Sequence, residues 1–381
     1  MRLPAQLLTV PLSTVPLLTV LLSTVLLTSC LDPTVPQFQT EDPFYLVEGR
    51  ILAGEDGSEV RVRASAFTSS TIRFEAIEDA AVASVETGGA TVAWEAVPGA
   101  PGRYQPPAGF RANPGETWSL TVVLPDGTTV ESAPERVPAP VAVQSLAVVF
   151  EQNSVFDAGT NQFIPRFELF LTYDDPADED NFYAFDFRYW EAVVTCFTCE
   201  RGRYRNGECV EDFSVMPRFD YYCDTEECFR ETAGNAVVYG TDELSNGNTV
   251  SGFPIGGIPF MAFGGLLVEG SVLSISPEAY AYGRVIQDLT TGNAGLNATV
   301  PAALAGNVRN LDPAGRTVLG FVSVATAGRT RTFIERTEDT GTPLRFDDRI
   351  YPEPIVGPFV PPLAPCEVDG RTATRPVGWQ E

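Results

Sequence analysis

The sequence predicts an all-β protein with mainly antiparallel strands and one short helix. Apolar and polar residues alternate at period two in many short segments, as they do in strands with one buried face. The 33 Gly and 31 Pro residues supply frequent turns between these segments, and only one segment carries a helical repeat. Hydrophobic residues make up 44% of the 381 positions, which is enough for a large core. We therefore expect folded β domains rather than a disordered chain.

The start of the chain predicts export and lipid attachment rather than a fold element. A charged residue, Arg2, leads into an apolar run over residues 7–27, which ends in two small residues before Cys30. This order is typical of a bacterial lipoprotein signal peptide, here residues 1–29, and the thiol of Cys30 would take a diacylglycerol group. Plain secretion and an uncleaved anchor are the alternatives, but prolines interrupt the run and no basic flank follows it. Residues 30–42 are expected to form a polar tether to a membrane-bound lipid.

Residues 43–135 predict a small β-sandwich. Short alternating segments separated by tight turns follow one another in this range, and residues 125–127 (Pro-Asp-Gly) favour a hairpin turn. The pattern resembles the immunoglobulin-like and prealbumin-like modules of surface proteins. A Pro-rich stretch at 134–140 is the predicted linker to the next domain. The strands of the sandwich are expected at 44–52, 60–67, 90–97, 115–124 and 128–132.

A larger β-rich domain is predicted over residues 136–350, followed by a Pro-rich C-terminal segment at 351–381. Its strands are expected at 141–150, 163–173, 182–194, 237–240, 255–275, 318–324 and 329–334. In the third of these strands four aromatic residues fall on one face at period two. The core side of a sheet is the favoured interpretation of this face, and a platform for stacking sugars is the alternative. The four residues are Tyr183, Phe185, Phe187 and Tyr189.

The single helix is predicted over residues 276–291. Ser276 is expected to be its N-cap, and Pro277 takes the first helical position. Apolar residues then recur at helical spacing and predict the side that faces a sheet. These residues are Tyr282, Val285, Ile286 and Leu289.

An acidic loop at residues 174–181 separates two of the predicted strands. Its sequence is Asp-Asp-Pro-Ala-Asp-Glu-Asp-Asn. A calcium loop of the helix–loop–helix type would need a Gly at its sixth position and a Glu at its twelfth, and neither is present. We therefore expect a solvated hairpin end rather than a metal site.

Six cysteines remain once Cys30 carries the lipid, and an even number in an exported chain predicts disulfides. A zinc ribbon and a redox Cys-x-x-Cys motif are the alternatives. The spacing is irregular, there is no His, and no βαβ pattern surrounds the motif, so disulfides are favoured. We interpret residues 196–228 as a stapled insertion between strands. The sequence leaves the pairing of the six residues open: Cys196, Cys199, Cys209, Cys223, Cys228 and Cys366.

The Cys-rich insertion also carries the predicted recognition surface. Arg and aromatic residues are concentrated in it, and these residue types dominate binding hot spots. The residues expected to form the surface are Arg203, Tyr204, Arg205, Tyr221 and Tyr222.

The charge and the missing residue types exclude several classes of function. The chain has 50 acidic residues against 25 basic ones, all of them Arg, and a net charge of −25. Such a surface repels phosphate backbones, so nucleic acid is not an expected partner. The absence of His removes the usual general base and the commonest metal ligand. No catalytic motif is present, and we expect no enzyme activity, no cofactor and no metal.

Short motifs along most of the chain resemble those of one bacterial family. They are Tyr45–Ile51, Gly102–Tyr104, Pro114–Trp118, Asp175-Pro176 with 181–183, the helix at 277–289, 306–308, 318–323, and Cys366 with Trp379. On these motifs the chain resembles the Bacteroidota outer-membrane lipoproteins of domain-of-unknown-function family 4249. The second Cys that the family leads us to expect after Cys366 is missing. This leaves the partner of Cys366 open, with the 196–228 cluster as the candidate.

The resemblance implies a location and a partner rather than an activity. Members of the family are similar in setting to accessory lipoproteins that work beside TonB-dependent outer-membrane receptors. We therefore expect a non-catalytic protein, lipid-anchored on either face of the outer membrane, that binds a ligand or assists a nutrient receptor of this type. A glycan hydrolase using two carboxylates and a purely structural envelope protein are the alternatives.

Overall fold

The computed structural model describes most of the chain from residue 43 onward. The signal peptide, Cys30 and the tether lie outside the described residues, so the predictions made for them stay predictions. The described residues are 43–54, 57–68, 71–177, 179–193, 195–200, 202–205, 208–212, 214, 219–224, 227–290, 306–344, 366 and 371–380.

Within these ranges the chain forms twenty-four strands and one helix. In chain order they are β1 Tyr45–Ala53, β2 Glu59–Thr68, β3 Thr71–Ala76, β4 Ala81–Glu86, β5 Thr91–Ala96, β6 Arg103–Gln105, β7 Thr117–Val123, β8 Thr129–Ser132, β9 Glu135–Arg136, β10 Ala142–Asp157, β11 Gln162–Asp174, β12 Phe182–Ala192, β13 Thr195–Glu200, β14 Gly202–Arg205, β15 Glu208–Glu211, β16 Phe219–Asp224, β17 Phe229–Ala233, β18 Val238–Thr241, β19 Thr249–Pro259, β20 Gly264–Ile275, α1 Pro277–Thr290, β21 Val308–Asn310, β22 Val318–Leu319, β23 Val322–Arg336 and β24 Arg371–Thr372. The prediction of an all-β, mainly antiparallel fold with one helix is confirmed.

Seventeen of the described strands join into one hydrogen-bonded sheet, and β10, β11 and β19 form a separate three-stranded sheet. Across the middle of the large sheet the order is β2, β1, β23, β20 and β12. These pairs are antiparallel except for β1 with β23, which run parallel. Beyond β12 the sheet continues into β17 and β18. This central part of the large sheet positions the candidate site.

The strands of the predicted sandwich share their core with strands from much later in the chain. β8 pairs with β21, and β1 pairs with β22 and β23. Strands that precede the predicted linker at 134–140 therefore pair with strands that follow it. From Pro43 onward the chain is one compact unit, and its division into domains stays a prediction. Buried members of the shared core include Val47, Val62, Trp94, Trp118, Leu120, Val308, Val322 and Val324.

The inner face of the large sheet packs against the three-stranded sheet. Phe185 of β12 lies at the centre of this contact and stacks on Phe253 of β19, with ring centroids 4.2 Å apart. Leu169 and Leu171 of β11 belong to the same core. The core interpretation of the aromatic face is confirmed, and a sugar platform is excluded because buried rings leave no open face for a ligand. The residues concerned are Tyr183, Phe185 and Phe187, which are buried, and Tyr189, which is partly buried.

The predicted helix is present as α1, and Ser276 caps it. The Ser276 hydroxyl oxygen accepts a hydrogen bond from the Ala279 amide at 3.0 Å. The buried side of α1 is centred on Ala279 and Gly283, whereas Leu289 is 49% exposed. The predicted stripe is therefore wrong at Leu289. Small residues face the sheet because the ring of Tyr239 fills the space that a side chain at Gly283 would need. No helix among the described residues is long and apolar enough to cross a membrane.

The acidic loop at 174–181 is only partly solvated. Asp175 and Asn181 are buried. One carboxylate oxygen of Asp175 accepts a hydrogen bond from the Tyr183 hydroxyl, and the other accepts one from the Gly247 amide at 2.8 Å. Burial and the bond to Asp175 raise the pKa of Tyr183 above its ordinary range. The expectation of a solvated hairpin end is wrong for Asp175 and Asn181. Protein donors replace water at the Asp175 carboxylate, and Asn181 Nδ2 donates to protein acceptors such as the Glu179 carbonyl at 2.8 Å.

Candidate functional site

The predicted recognition surface falls on two short ladders. Arg203, Tyr204 and Arg205 lie on β14, which pairs with β15. Tyr221 and Tyr222 lie on β16, which pairs with β13. The side chains of these five residues lie outside the described part of the structure, so this surface stays a prediction.

One of the candidate disulfides is described, and it joins Cys228 to Cys366 with the Cα atoms 5.9 Å apart. The partner of Cys366 is therefore a member of the predicted cluster. Cys228 is no longer available as a zinc ligand, because its sulfur is bonded to another sulfur. In the backbone register of β13 and β16, Cys196 lies opposite Cys223. The side chains of four of the candidates lie outside the described residues: Cys196, Cys199, Cys209 and Cys223.

The outer face of the large sheet carries a charged cluster. Alternate residues of a strand point to opposite faces, so Arg188 and Trp190 lie on the face opposite the buried aromatics of β12. The β12–β20–β23 ladders place Glu269 next to Arg188, and Arg331 next to Glu269. We call this cluster the arginine strip. It consists of Arg50, Asp186, Arg188, Trp190, Glu231, Glu269, Arg329 and Arg331.

The carboxylate of Glu269 is the centre of the arginine strip. Its side chain is only 4% exposed. Arg188 Nε donates to one carboxylate oxygen at 2.7 Å, and Arg331 Nε donates to the other at 2.6 Å. Arg329 Nε approaches the same carboxylate at 4.0 Å. Burial alone would raise the pKa of Glu269, but the hydrogen bonds and charges of Arg188 and Arg331 outweigh it and hold the pKa below its usual value.

The ring of Trp190 packs against two of these guanidinium groups. The Cζ atoms of Arg188 and Arg331 lie 5.1 Å and 4.9 Å from the centroid of the Trp190 ring, within cation–π range. The side chains of Arg188, Arg329 and Arg331 are still 36%, 28% and 29% exposed. The guanidinium groups are therefore fixed in position but remain accessible to a ligand or a partner.

The arginine strip lies between α1 at one end and the segment that carries Trp379 at the other. At one end α1 packs on the outer face of the sheet. At the other end Trp379, from the last segment of the chain, packs edge-on against Phe333, with ring centroids 5.3 Å apart. Arg331 Nη1 donates to the carbonyl of Val377 at 2.6 Å. The tail that carries Trp379 follows Cys366, so the disulfide to Cys228 restrains this end of the strip.

The arginine strip suits recognition rather than bond making. Guanidinium groups donate hydrogen bonds and stay charged, so they do not serve as general acids or bases. Within the strip Arg50 pairs with Asp186 at 3.9 Å and Arg188 with Glu231 at 3.1 Å. Its four arginines face three carboxylates, which leaves a local excess of one positive charge in a chain with a net charge of −25.

Sequence reasoning did not single out the arginine strip. The sequence contains a weak signal for it, because Arg188 alternates with Trp190 on one predicted strand and Arg329 with Arg331 on another. Neither pair identifies its neighbours, since the strands that meet at Glu269 are far apart in the chain. Among the described residues, no group of three or more acidic or Cys side chains is arranged to hold a metal ion.

Comparison with known proteins identifies a family. A search of the curated proteins finds no match to the chain. A family model described as "Domain of unknown function (DUF4249)" matches residues 30–331, which is well over half of the 381 residues. The matched range includes every residue of the arginine strip. The chain therefore belongs to the family DUF4249, whose function is unknown.

Proposed function

We propose that the protein is a non-catalytic lipoprotein of the outer membrane that works as a ligand-binding or accessory partner of a TonB-dependent nutrient receptor. The signal pattern that ends at Cys30 supports the lipid anchor. The resemblance to the Bacteroidota lipoproteins supports the membrane and the receptor. The arginine strip is the observation that carries the binding role.

The composition and rigidity of the arginine strip favour binding. Arg and Trp are among the residues that contribute most to interfaces. A binding surface loses less free energy on association when its side chains are ordered beforehand. Glu269 and Trp190 already hold Arg188 and Arg331 in place, so a partner would meet preformed donors. The expected contact on the partner is a carboxylate, because guanidinium and carboxylate groups pair with two parallel hydrogen bonds.

The carboxylate–arginine pairs of the arginine strip argue against the hydrolase alternative at this site. Glycosidases of the common type need a second carboxyl group that gives a proton to the leaving group. In the arginine strip each of the three carboxylates, Asp186, Glu231 and Glu269, pairs with an arginine. For Glu269 the hydrogen bonds and charges of Arg188 and Arg331 hold the pKa below its usual value, so this buried carboxyl group is not suited to donate a proton.

Co-purification from a solubilised Bacteroidota envelope tests the proposal. The wild-type protein should carry an acylated Cys30 and retain a β-barrel receptor that mass spectrometry identifies. Of the three arginines that pair with Glu269, Arg329 makes the longest contact. Arg329→Gln removes it, and we expect this variant to retain at least fivefold less receptor. Arg309→Gln is the matched control, because Arg309 lies outside the strip and is 74% exposed. An unmodified thiol at Cys30, no receptor, or equal retention by both variants would contradict the proposal.

A further inference from the structure

A second place in the fold has the form of a binding site. A cleft of about 360 Å³ lies between β9, the loop before β12 and the start of α1. Clefts of this volume fall within the range of small-molecule sites. The residues at its surface that matter here are Glu135, Arg136, Glu179, Asp180, Ser274 and Glu278.

Glu135 is the central residue of this cleft. It is 7% exposed, and one of its carboxylate oxygens accepts a hydrogen bond from the Val324 amide at 2.9 Å. The other oxygen accepts a longer one from Asn307 Nδ2 at 3.3 Å. Within the described residues no arginine pairs with Glu135. A buried carboxylate without a cation is costly, so its position in a cleft requires an explanation.

The pKa of Glu135 is raised, and no paired cation among the described residues offsets its burial. Burial raises its pKa to about 7, and the hydrogen bonds from the Val324 amide and the Ser276 hydroxyl offset only part of this effect. The negative charge of Glu278 raises the pKa further. A positive charge placed in the cleft would reverse the balance and favour the ionised form.

The rest of the cleft is also suited to a positive charge. Glu179, Asp180 and Glu278 line it, and Arg136 is the one basic residue among its described lining residues. Arg136 is already placed 3.8 Å from Glu179. Ser274 also lines the cleft; it is 3% exposed, and its hydroxyl has no hydrogen-bond partner among the described residues. Among the described residues, the cleft thus combines a buried carboxyl group with no paired arginine, a hydroxyl with no hydrogen-bond partner, and an acidic rim.

We propose that this cleft binds a small organic amine, whose ammonium group lies against Glu135 and supplies the counter-ion that the described residues do not provide. An ammonium group donates three hydrogen bonds, and the carboxylate of Glu135 and the hydroxyl of Ser274 are the acceptors offered to it. A volume of about 360 Å³ corresponds to about twelve water molecules, which leaves room for an aliphatic diamine. An organic cation is favoured over a metal ion because the described residues provide no metal-binding group of three acidic or Cys side chains. This inference does not depend on the proposed function.

Binding to Glu135 should be linked to protons. Below pH 7 the free protein holds a proton on Glu135, and an amine that requires the ionised form must displace it. The other charged groups facing Glu135 across the cleft are Arg136, Glu179, Asp180 and Glu278. We expect affinity to be at least tenfold higher at pH 8 than at pH 5.5. At pH 6.5, binding should release up to one proton per ligand.

Isothermal titration calorimetry of the full-length solubilised protein with cadaverine tests this inference. Measuring in two buffers with different heats of ionisation gives the number of protons released. Glu135→Gln should bind at least tenfold more weakly at pH 8 and show no pH dependence. Glu131→Gln is the control and should bind like the wild type. Glu131 lies on β8, outside the cleft, and pairs with Arg309 of β21.

Three outcomes would overturn the inference. They are no binding of millimolar cadaverine to the wild type at pH 8, equal binding by Glu135→Gln, and displacement of cadaverine by equimolar Ca²⁺. Circular dichroism of the variant confirms that any loss of binding does not come from unfolding.

Discussion

The burial of Glu135 predicts an unusual dependence of stability on pH. Its pKa is raised from 4.5 to about 7 in the folded protein, whereas in the unfolded chain it returns to its ordinary value. Between these two pH values the folded state holds a proton that the unfolded state has lost. The free energy of unfolding must therefore fall as pH rises through this window. At pH values below the window both states hold the proton, so the raised pKa does not lower the stability there.

The size of this effect follows from the change in pKa. Each pKa unit corresponds to about 1.4 kcal/mol, so the contribution of Glu135 should fall by about 2–3 kcal/mol between pH 5 and pH 8. Glu135→Gln removes the titration but keeps the shape of the side chain. At pH 5 the variant loses one hydrogen bond, because its amide nitrogen cannot accept from Asn307, and it should be less stable by about 1 kcal/mol. At pH 8 it should be more stable than the wild type by about 1–2 kcal/mol.

Urea unfolding followed by tryptophan fluorescence at pH 5, 6, 7 and 8 measures the difference. Subtracting the two proteins at each pH removes the titration of all other groups that the substitution leaves unchanged. The expected result is a change of sign in the stability difference between pH 5 and pH 8. A difference that stays the same across this range would refute the reasoning, since it would show that Glu135 has the same pKa in the folded and unfolded states.

Three further predictions concern the packing and the ion pairs. Replacing Cys228 and Cys366 by Ser should lower the free energy of unfolding by about 2–5 kcal/mol; a thermal midpoint equal to that of the wild type under oxidising conditions would contradict the bond. Gly283→Ala should destabilise α1 by about 1–3 kcal/mol despite the better helix propensity of Ala, because the added carbon meets the ring of Tyr239. A stabilised variant in chemical denaturation would show that the contact is absent. Glu269→Gln should cost about 2–4 kcal/mol, and the loss should shrink in 1 M salt, where the arginines repel each other less; a loss independent of salt would speak against the ion-pair explanation.

Several elements followed directly from local sequence patterns. The Ser276-Pro277 start of α1 was predicted within one residue, because an N-cap acts on amides only two or three positions away. The inward face of β12, with Phe185 at its centre, was also predicted, since alternation is a property of one strand. Leu289 was predicted on the buried side and is exposed. The reason is that Tyr239, which comes from another strand, selects the small residue Gly283 at the contact.

The charged sites could not be predicted in the same way. Glu269 alone is one acidic residue among 50, and only the β12–β20–β23 ladders show that it lies between Arg188 and Arg331. Glu135 was read as part of a Pro-rich linker. Two of the residues that hydrogen bond to it, Asn307 and Val324, are more than 170 positions further along the chain.

The sequence by itself determined the β class of this protein, the start of its helix, its acidic surface without His or Lys, and the expectation of a lipid on Cys30. Only the tertiary structure decided that Cys366 bonds to Cys228, that three arginines surround Glu269, and that Glu135 lies buried with no paired arginine in the part of the chain that the structure describes. The physical reason is the separation along the chain of the residues on which each property depends. Strand alternation and helix capping depend on residues a few positions apart, whereas the cost of burying a charge depends on groups that meet only when distant strands pair.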